Sequence, residues 1–343
     1  MKIIRFWSSN HWRPDTWRAK FRVNPSQFHF VRDNENPDYL FGTEQLWTDI
    51  AARRDFLRLF GYHRVTIYFA HECISPDMNL FDYAIAFDRN AVLGDRIHRI
   101  PVLSFYPDDI FERFDSPFKD AESELGRKTR FCNFIYSNPR AAPRRDQLFH
   151  AISTYRRVDS LGPHLNNCGN RTSRTDKDWH RLAVEMRRPY KFSISCENAV
   201  CPGYVSEKIL SAFQAHTVPI YWGDPSIATE FNPKAFINAN NMSDGEVCEI
   251  VRTIDQNDSL WSQMVSEPPL LSHQLKKAEE DELSFRRWSD CLFSSSIRDV
   301  VRKPYGFWPA NYFRAFSVPP YACNKIFSRI SRLGHFLRMK SHV

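Results

Sequence analysis

The residues that could do chemistry are concentrated in the run 190–223, which reads YKFSISCENAVCPGYVSEKILSAFQAHTVPIYWG. Its alternating first part predicts a strand, and Glu197 and Asn198 follow where that strand ends. A loop then leads into a helical pattern whose first turn holds Glu207 and Lys208. Main-chain N–H groups at a helix start favour an anion, a lysine adds positive charge, and a carboxylate can accept from paired sugar hydroxyls. The run therefore predicts a site for a nucleotide diphosphate that carries a sugar.

Three further positions could complete such a site. Arg145, or alternatively Arg144, begins a helical pattern and offers phosphate a fork of N–H donors. Tyr204 lies in the loop before Glu207 and could stack on a base, and Glu72 follows the predicted strand 64–69. Ordinary alternatives exist, because paired arginines are often only solvated, lone carboxylates are mostly surface groups, and Glu207 in a first helical turn also stabilises the helix dipole.

The rest of the chain alternates β-rich runs with helical patterns. We expect strands over 2–7, 27–31, 39–41, 64–69 and 83–87 and, after the charged stretch 108–130, over 130–136, 191–196, 218–222 and 236–239, with a strand and a turn over 156–164. We expect helices over 46–60, 144–152, 206–216, 243–253 and 276–283. This alternation favours an α/β fold with parallel sheets, which bind ligands at the carboxyl ends of their strands.

The composition restricts the class of protein without choosing one. The 343 residues, 42% of them hydrophobic, suffice for two domains. A net charge of +7 favours an anionic partner, but the basic residues are spread along the chain and no nucleic-acid motif is present. The 8 cysteines form no CxxC pair, and neither a signal peptide nor an apolar run of about 20 residues is found. We therefore expect a cytoplasmic protein.

The C-terminal residues 319–343 have a different character. They begin with two prolines and then place apolar residues near a helical period among five basic ones: Lys325, Arg329, Arg332, Arg338 and Lys340. A basic amphipathic helix of this kind can lie on an anionic membrane surface, here the inner face, or it can pack against its own protein or a partner.

The central run resembles the signature of the α-1,3/4-fucosyltransferases, most closely that of the bacterial members without a membrane span. In that signature an F-E-N step and a Y-V-T/S-E-K motif precede a helix and a V-P-I-Y-W-G-like strand. Here the three parts are CEN at 196–198, YVSEK at 204–208 and VPIYWG at 218–223, and FNPKAFI at 231–237 also fits. A signature of this length is far more specific than a lone short motif.

A second part of the resemblance lies in the first half of the chain. The segments HECISP at 71–76 and NLFDYAIAFD at 79–88 are similar to the family's G-E-N-x-x-P and DYAIGFD segments. His71 replaces the usual Gly, Cys73 the usual Asn and, in the central run, Cys196 the usual Phe. The first two departures flank Glu72, so they bear on its orientation.

The resemblance implies a GT-B architecture, in which two Rossmann-like domains face each other across a cleft. We expect an acceptor-binding domain over 1–128, a GDP-fucose-binding domain over 129–295, a crossover back toward the first domain over 296–318, and the basic tail over 319–343. By the motif match, Glu72 would be the general base, and a base that acts near neutral pH would profit from partial burial. The implied donor-site residues are Arg145, with Arg144 as the alternative, Asn198, Tyr204, Glu207 and Lys208.

The implied reaction is an inverting transfer of fucose from GDP-fucose to the GlcNAc of an N-acetyllactosamine-type glycan. We expect no required cofactor, since GDP-fucose is a substrate, and no metal site, with a divalent ion at most stimulatory. The one D-x-D triplet, at 176–178, lies in a polar loop and no zinc-like spacing occurs. The alternatives are another nucleotide sugar as donor, α-1,4 linkage, a nucleic-acid-binding protein, and a catalytically silent glycan-binding relative.

Overall fold

The computed structural model describes residues 1–105, 118, 120–169 and 179–317, and these contain two parallel β-sheets. The first sheet has the order β2-β1-β3-β4-β5-β6. Its strands are β1 (Lys2–Ser8), β2 (Phe28–Arg32), β3 (Tyr39–Gly42), β4 (Val65–Phe69), β5 (Tyr83–Ala86) and β6 (Ile97–Arg99). All pairings in it are parallel, as the alternating pattern predicts.

The second sheet is also parallel and has the order β11-β10-β9-β7-β8. Its strands are β7 (Arg130–Phe134), β8 (Val158–Ser160), β9 (Tyr190–Cys196), β10 (Val218–Trp222) and β11 (Ile237–Asn238). The predicted strand 218–222 is confirmed residue for residue. The strand expected within 156–164 spans three residues and that expected over 236–239 only two, and the two lie at opposite edges of the sheet.

Helices connect the strands and cover both sheets. Those among the described residues are α1 (Pro14–Lys20), α2 (Gln45–Thr48), α3 (Ile50–Leu59), α4 (Ala121–Arg127), α5 (Arg144–Tyr155), α6 (Trp179–Arg187), α7 (Glu207–Gln214), α8 (Asp244–Asp255), α9 (Asp258–Ser266), α10 (Ser272–Ser294), α11 (Ile297–Val300) and α12 (Phe307–Ser317). The predicted helix 46–60 is split at Asp49, whose carboxylate accepts from the N–H groups of Ala51 and Ala52 and so starts α3 as an N-cap.

The long helix α10 is shared by the two halves of the molecule. Near its start, Ala278 packs in a cluster with Leu210 and Phe231, which belong to the second half. Near its end, Phe285 and Phe293 are buried in the core of the first sheet. The chain thus returns to the first sheet inside this helix, ahead of the crossover expected at 296–318.

The segment after α10 stays on the first half. Lys303 and Asp82, both with fully buried side chains, form an ion pair of 2.9 Å, and Asp82 also accepts from the main-chain N–H of Lys303 at 2.6 Å. On α12, Phe313 stacks on Phe60 with ring centroids 4.2 Å apart. The tail 319–343 lies outside the described residues, so the expected amphipathic helix stays a prediction.

Partly buried charges also join the two halves. Arg89 and Arg99, which follow β5 and end β6, both donate to the carboxylate of Glu230, which lies beyond β10. Burial is the main reason that the pKa of Glu230 is raised, against the pull of the two guanidinium groups. The contact holds the loop after β5 against the second half, at the edge of the cleft described next.

Candidate functional site

A cleft of about 300 Å³ opens between the two sheets, where the carboxyl end of β4 faces those of β7 and β9. Ligand sites of open parallel sheets lie at this edge. The polar groups that line it include every expected site residue, namely Glu72, Arg145, Asn198, Tyr204, Glu207 and Lys208. His71, Asn138 and Arg187 line it as well.

Glu72 lies three residues beyond the end of β4 and meets the second half across the cleft. Its Oε2 accepts from the Tyr204 hydroxyl at 2.9 Å and from Asn198 Nδ2 at 3.4 Å. The expected partial burial of Glu72 is wrong, because its side chain is exposed at the mouth of the cleft. Two residues of the central run thus hold the carboxylate from the opposite side, and it remains open to solvent and to a ligand.

The role expected for the Tyr204 ring is also wrong. Tyr204 is only 2% exposed, and its ring packs edge-on against Phe87 with centroids 5.2 Å apart, so no face is free to stack on a base. Only its hydroxyl reaches the cleft. Burial, together with the nearby carboxylates of Glu197 and Glu72, raises the pKa of Tyr204, which keeps the hydroxyl a donor.

The other face of Glu72 is organised by Glu44, which precedes α2. The Glu44 carboxylate accepts from the main-chain N–H of Glu72 at 3.0 Å and from that of His71, and it pairs with His71 Nδ1 at 2.9 Å. Burial alone would raise the pKa of Glu44, but the bonds from His71 outweigh it and lower the pKa. Sequence reasoning missed Glu44, since no motif surrounds it and its partners lie 27 residues away.

The ammonium group of Lys208 already pairs with a buried carboxylate, so it is less free to move toward a phosphate than an unpaired lysine would be. Its Nζ donates to the buried Glu197 carboxylate at 2.9 Å, and Glu197 also accepts from the Ser206 N–H at 2.8 Å. Burial would lower the pKa of Lys208, but the carboxylates of Glu197 and Glu207 raise it. Glu197 thereby fixes the start of α7, where Glu207 and Lys208 line the cleft.

The two neighbouring arginines point to different places. Arg145 is 1% exposed, lines the cleft with its guanidinium 4.5 Å above the Tyr136 ring, and leaves Nη1 without a hydrogen-bond partner among the described residues. Arg144 instead forms an ion pair with Asp244 on α8 and does not line the cleft. An unpaired buried guanidinium nitrogen costs free energy unless a ligand accepts from it, so this geometry favours Arg145 over Arg144.

Arg187, at the end of α6, is a second buried cation beside the cleft that the sequence did not point to. It donates to the Ser193 hydroxyl at 3.2 Å and to the Ala183 carbonyl at 2.7 Å. Burial lowers its pKa to about 10, and Tyr136 and Glu207 oppose that shift, so the group stays charged at neutral pH. Two guanidinium groups and one ammonium thus surround this end of the cleft, an arrangement that suits a phosphorylated ligand.

No cluster of three or more His, Cys, Asp or Glu side chains suited to a metal occurs within 1–105, 118, 120–169 and 179–317. The D-x-D triplet at 176–178 falls outside these ranges. Among the same residues, no helix is long and apolar enough to cross a membrane.

Two protein-family sequence models, both of fucosyltransferases, together match most of the chain. Residues 125–289 match the model described as glycosyltransferase family 10 (fucosyltransferase), C-terminal part. Residues 4–106 match the α-(1,3)-fucosyltransferase FucT N-terminal domain. The boundary between them falls between the two sheets.

Individual proteins agree with these models. The chain is 29% identical over 287 residues to α-(1,3)-fucosyltransferase FucT of Helicobacter pylori, a match that covers 74% of this chain and 56% of that protein. The chain thus spans about half the length of that relative. A crystal structure of an α1,3-fucosyltransferase superimposes with a TM-score of 0.67 at 24% identity, covering 89% of this chain and 93% of the other. A crystal structure of an α1,3-fucosyltransferase with GDP-fucose superimposes with a TM-score of 0.61 at 24% identity. The match covers 83% of this chain and 90% of the other. These likenesses concern the fold, and they confirm the GT-B architecture.

Proposed function

Because the chain belongs to glycosyltransferase family 10, the fucosyltransferases, we propose that it transfers fucose from GDP-fucose to GlcNAc of an N-acetyllactosamine-type glycan. The observation that carries the proposal is the contact across the cleft between Glu72, beyond β4, and the YVSEK motif through Tyr204. This contact brings the candidate base within reach of the residues assigned to the donor. An acceptor hydroxyl and a nucleotide sugar could therefore meet there.

The chemistry is a single displacement with inversion at the anomeric carbon. Glu72 removes the proton from the acceptor hydroxyl as its oxygen forms a bond to C1 of fucose. The bond between C1 and the β-phosphate oxygen breaks on the opposite face, and GDP leaves with the electron pair. GDP is a good leaving group, so no second carboxylic acid is required, unlike in glycosidases.

The positive groups at the start of α7 and α5 would stabilise the charge that grows on the diphosphate. Arg145 is the strongest candidate for a direct contact because its Nη1 lacks a partner among the described residues. Lys208 would act from its pair with Glu197, and Glu207 would accept from hydroxyls of the ribose or the fucose. Asn198 would act beside Glu72, to which it donates.

Support for GDP-fucose as the donor comes from relatives, one of which was crystallised with GDP-fucose. A different nucleotide sugar and α-1,4 linkage are the alternatives. A panel of GDP- and UDP-sugars tests the first, and linkage analysis of the product tests the second. Preferred turnover of a UDP-sugar would overturn the assignment of the donor.

The decisive experiment measures fucose transfer from GDP-fucose to N-acetyllactosamine by the purified protein, with EDTA present. Product formation supports the donor, the acceptor class and independence from a metal together. We expect Glu72→Gln to abolish transfer and to leave GDP binding intact. Retained turnover in that variant would refute the assignment of Glu72 as the base, and failure to bind GDP would refute the assignment of the site.

We also propose an anionic membrane surface as a partner of the C-terminal region. Phe307 and Trp308, at the start of α12, are 70% and 78% exposed, and they precede the basic tail 319–343. Aromatic residues near basic ones suit a membrane–water interface. The test is co-sedimentation with vesicles that contain phosphatidylserine. Equal sedimentation with neutral vesicles, or with none, would contradict the proposal.

A further inference from the structure

The loop that carries Glu72 is held by a carboxylate from a different part of the first sheet. Glu44 follows β3, and its side chain is 17% exposed. One oxygen, Oε1, accepts from the consecutive main-chain N–H groups of His71 and Glu72. The other, Oε2, lies 2.9 Å from His71 Nδ1. A single side chain therefore fixes both the main chain at Glu72 and the imidazole next to it.

The charge on Glu44 sets the tautomer of His71. An ionised carboxylate can only accept, so Nδ1 of His71 must carry the proton that bonds to Glu44. The imidazole is further confined by Trp12 and Phe69, whose rings lie with centroids 4.8 Å and 5.2 Å from it. His71 is thus held by a charged partner on one edge and by aromatic rings around it, and it cannot turn without breaking the bond to Glu44.

We propose that Glu44 and His71 are positioning residues that hold Glu72 in the orientation needed to take the proton of the acceptor hydroxyl. On one side Glu44 fixes the main chain of Glu72, and on the other Tyr204 and Asn198 hold its carboxylate. This inference rests on the proposed role of Glu72 as the base. It also assigns a role to His71, because its side chain ties the loop to Glu44.

The expected effect follows from geometry. A displacement of about 1 Å in a catalytic group can cost roughly 100-fold in rate. Glu44→Gln keeps the size of the side chain and an acceptor for the main chain, but it presents an amide N–H group or a single carbonyl where the charged carboxylate stood. We expect kcat to fall about 10- to 100-fold while KM for GDP-fucose stays within about two-fold, because the donor side of the cleft is untouched.

The experiment compares steady-state kinetics of the wild type with Glu44→Gln and Glu44→Asp, and it measures GDP affinity by calorimetry and melting temperature for each. Glu44→Asp restores the charge, so it should recover part of the lost kcat. The control is Asp38→Asn, the same carboxylate-to-amide change in a pair with Arg5 on the surface of the same sheet. It should leave kcat unchanged.

The outcomes separate the inference from the function it rests on. No transfer by the wild type, or full activity of Glu72→Gln, would overturn the proposed function. With those two results as expected, an unchanged kcat in Glu44→Gln would overturn the positioning role alone. So would a loss of kcat that Asp38→Asn shares, since it would reflect general destabilisation. A fall in kcat at constant GDP affinity, partly restored by Glu44→Asp, is the result that supports it.

Discussion

Replacing both partners of the buried pair Glu197–Lys208 should destabilise the second half of the molecule far less than the sum of the two single replacements. Glu197 is fully buried, and the Lys208 side chain is 13% exposed, with 2.9 Å between the charged atoms. Glu197→Gln leaves the ammonium without its counter-charge and turns an amide toward it. Removing one member of a buried pair typically costs about 3–5 kcal/mol. Since Lys208 keeps its bond to Ser206 and some contact with solvent, we expect about 3 kcal/mol.

The double variant Glu197→Gln with Lys208→Met provides the comparison. Lys208→Met alone leaves a buried carboxylate with only the N–H and hydroxyl of Ser206, so it should also cost about 3 kcal/mol. With both charges absent, neither desolvated charge is left unpaired, and the total should be well below the sum. Residues in direct contact commonly show coupling energies of about 0.5–3 kcal/mol, and we expect the upper part of that range here.

Urea denaturation followed by tryptophan fluorescence measures these free energies, because Trp222 and Trp261 lie in the second half. The control is Lys277→Met, which removes an exposed pair with Asp281 and should cost at most about 1 kcal/mol. Strictly additive effects of the two single variants would refute the account of Glu197 and Lys208 as a mutually neutralising buried pair. If either single variant lowered the free energy of unfolding no more than Lys277→Met does, the expected cost of leaving a buried charge unpaired would be refuted.

Three other outcomes are expected. Tyr204→Phe removes the hydroxyl that donates to Glu72, so kcat should fall about 10-fold or more. GDP affinity measured by calorimetry should stay unchanged, and a parallel loss of that affinity would contradict the prediction. Arg145→Lys should weaken GDP binding at least about 10-fold because the guanidinium fork of donors is lost. Arg144→Lys should leave GDP binding unchanged. Equal effects of the two variants would refute the assignment of the diphosphate contact to Arg145. The pKa of Glu44 is lowered below 4.5, so its stabilising contribution is present above that pH and is lost as the pH falls through the folded-state value. The difference in unfolding free energy between wild type and Glu44→Gln should therefore shrink below pH 4.5, and a difference independent of pH would contradict the assignment.

The interior strands β4 and β10 were accessible to sequence reasoning because nearly all of their residues are buried. The run 65–69 and the strand 218–222 are continuous apolar or β-branched segments, and both are found where expected. Helix α10 was predicted only over 276–283, although it spans Ser272–Ser294. Its apolar residues serve two different cores, so they do not form one continuous stripe. Helix α1 was missed, although Pro14 at its first turn is a known start signal.

The candidate site was predictable as a set of residues but not as a set of contacts. All the expected side chains line one cleft, since the motifs that contain them follow the ends of parallel strands. The bond between Glu72 and Tyr204 joins residues 132 positions apart, and no local pattern encodes it. The roles of Glu44 and Arg187 likewise depend on tertiary packing. The ring of Tyr204 was assigned to stacking because its burial cannot be seen in the sequence.

The shared helix α10 has a consequence for the order of events during synthesis. The strands of the first sheet end at Arg99, but Phe285, Leu292, Phe293 and Val300, which complete their core, are made after all strands of the second sheet. The two clusters that pack against the second sheet are complete once Ala278 has been made. Domains usually fold as units from the N-terminus during translation. Here the later half should be the first to reach a closed core, while the apolar surface of the first sheet stays uncovered until residues 285–300 have been made.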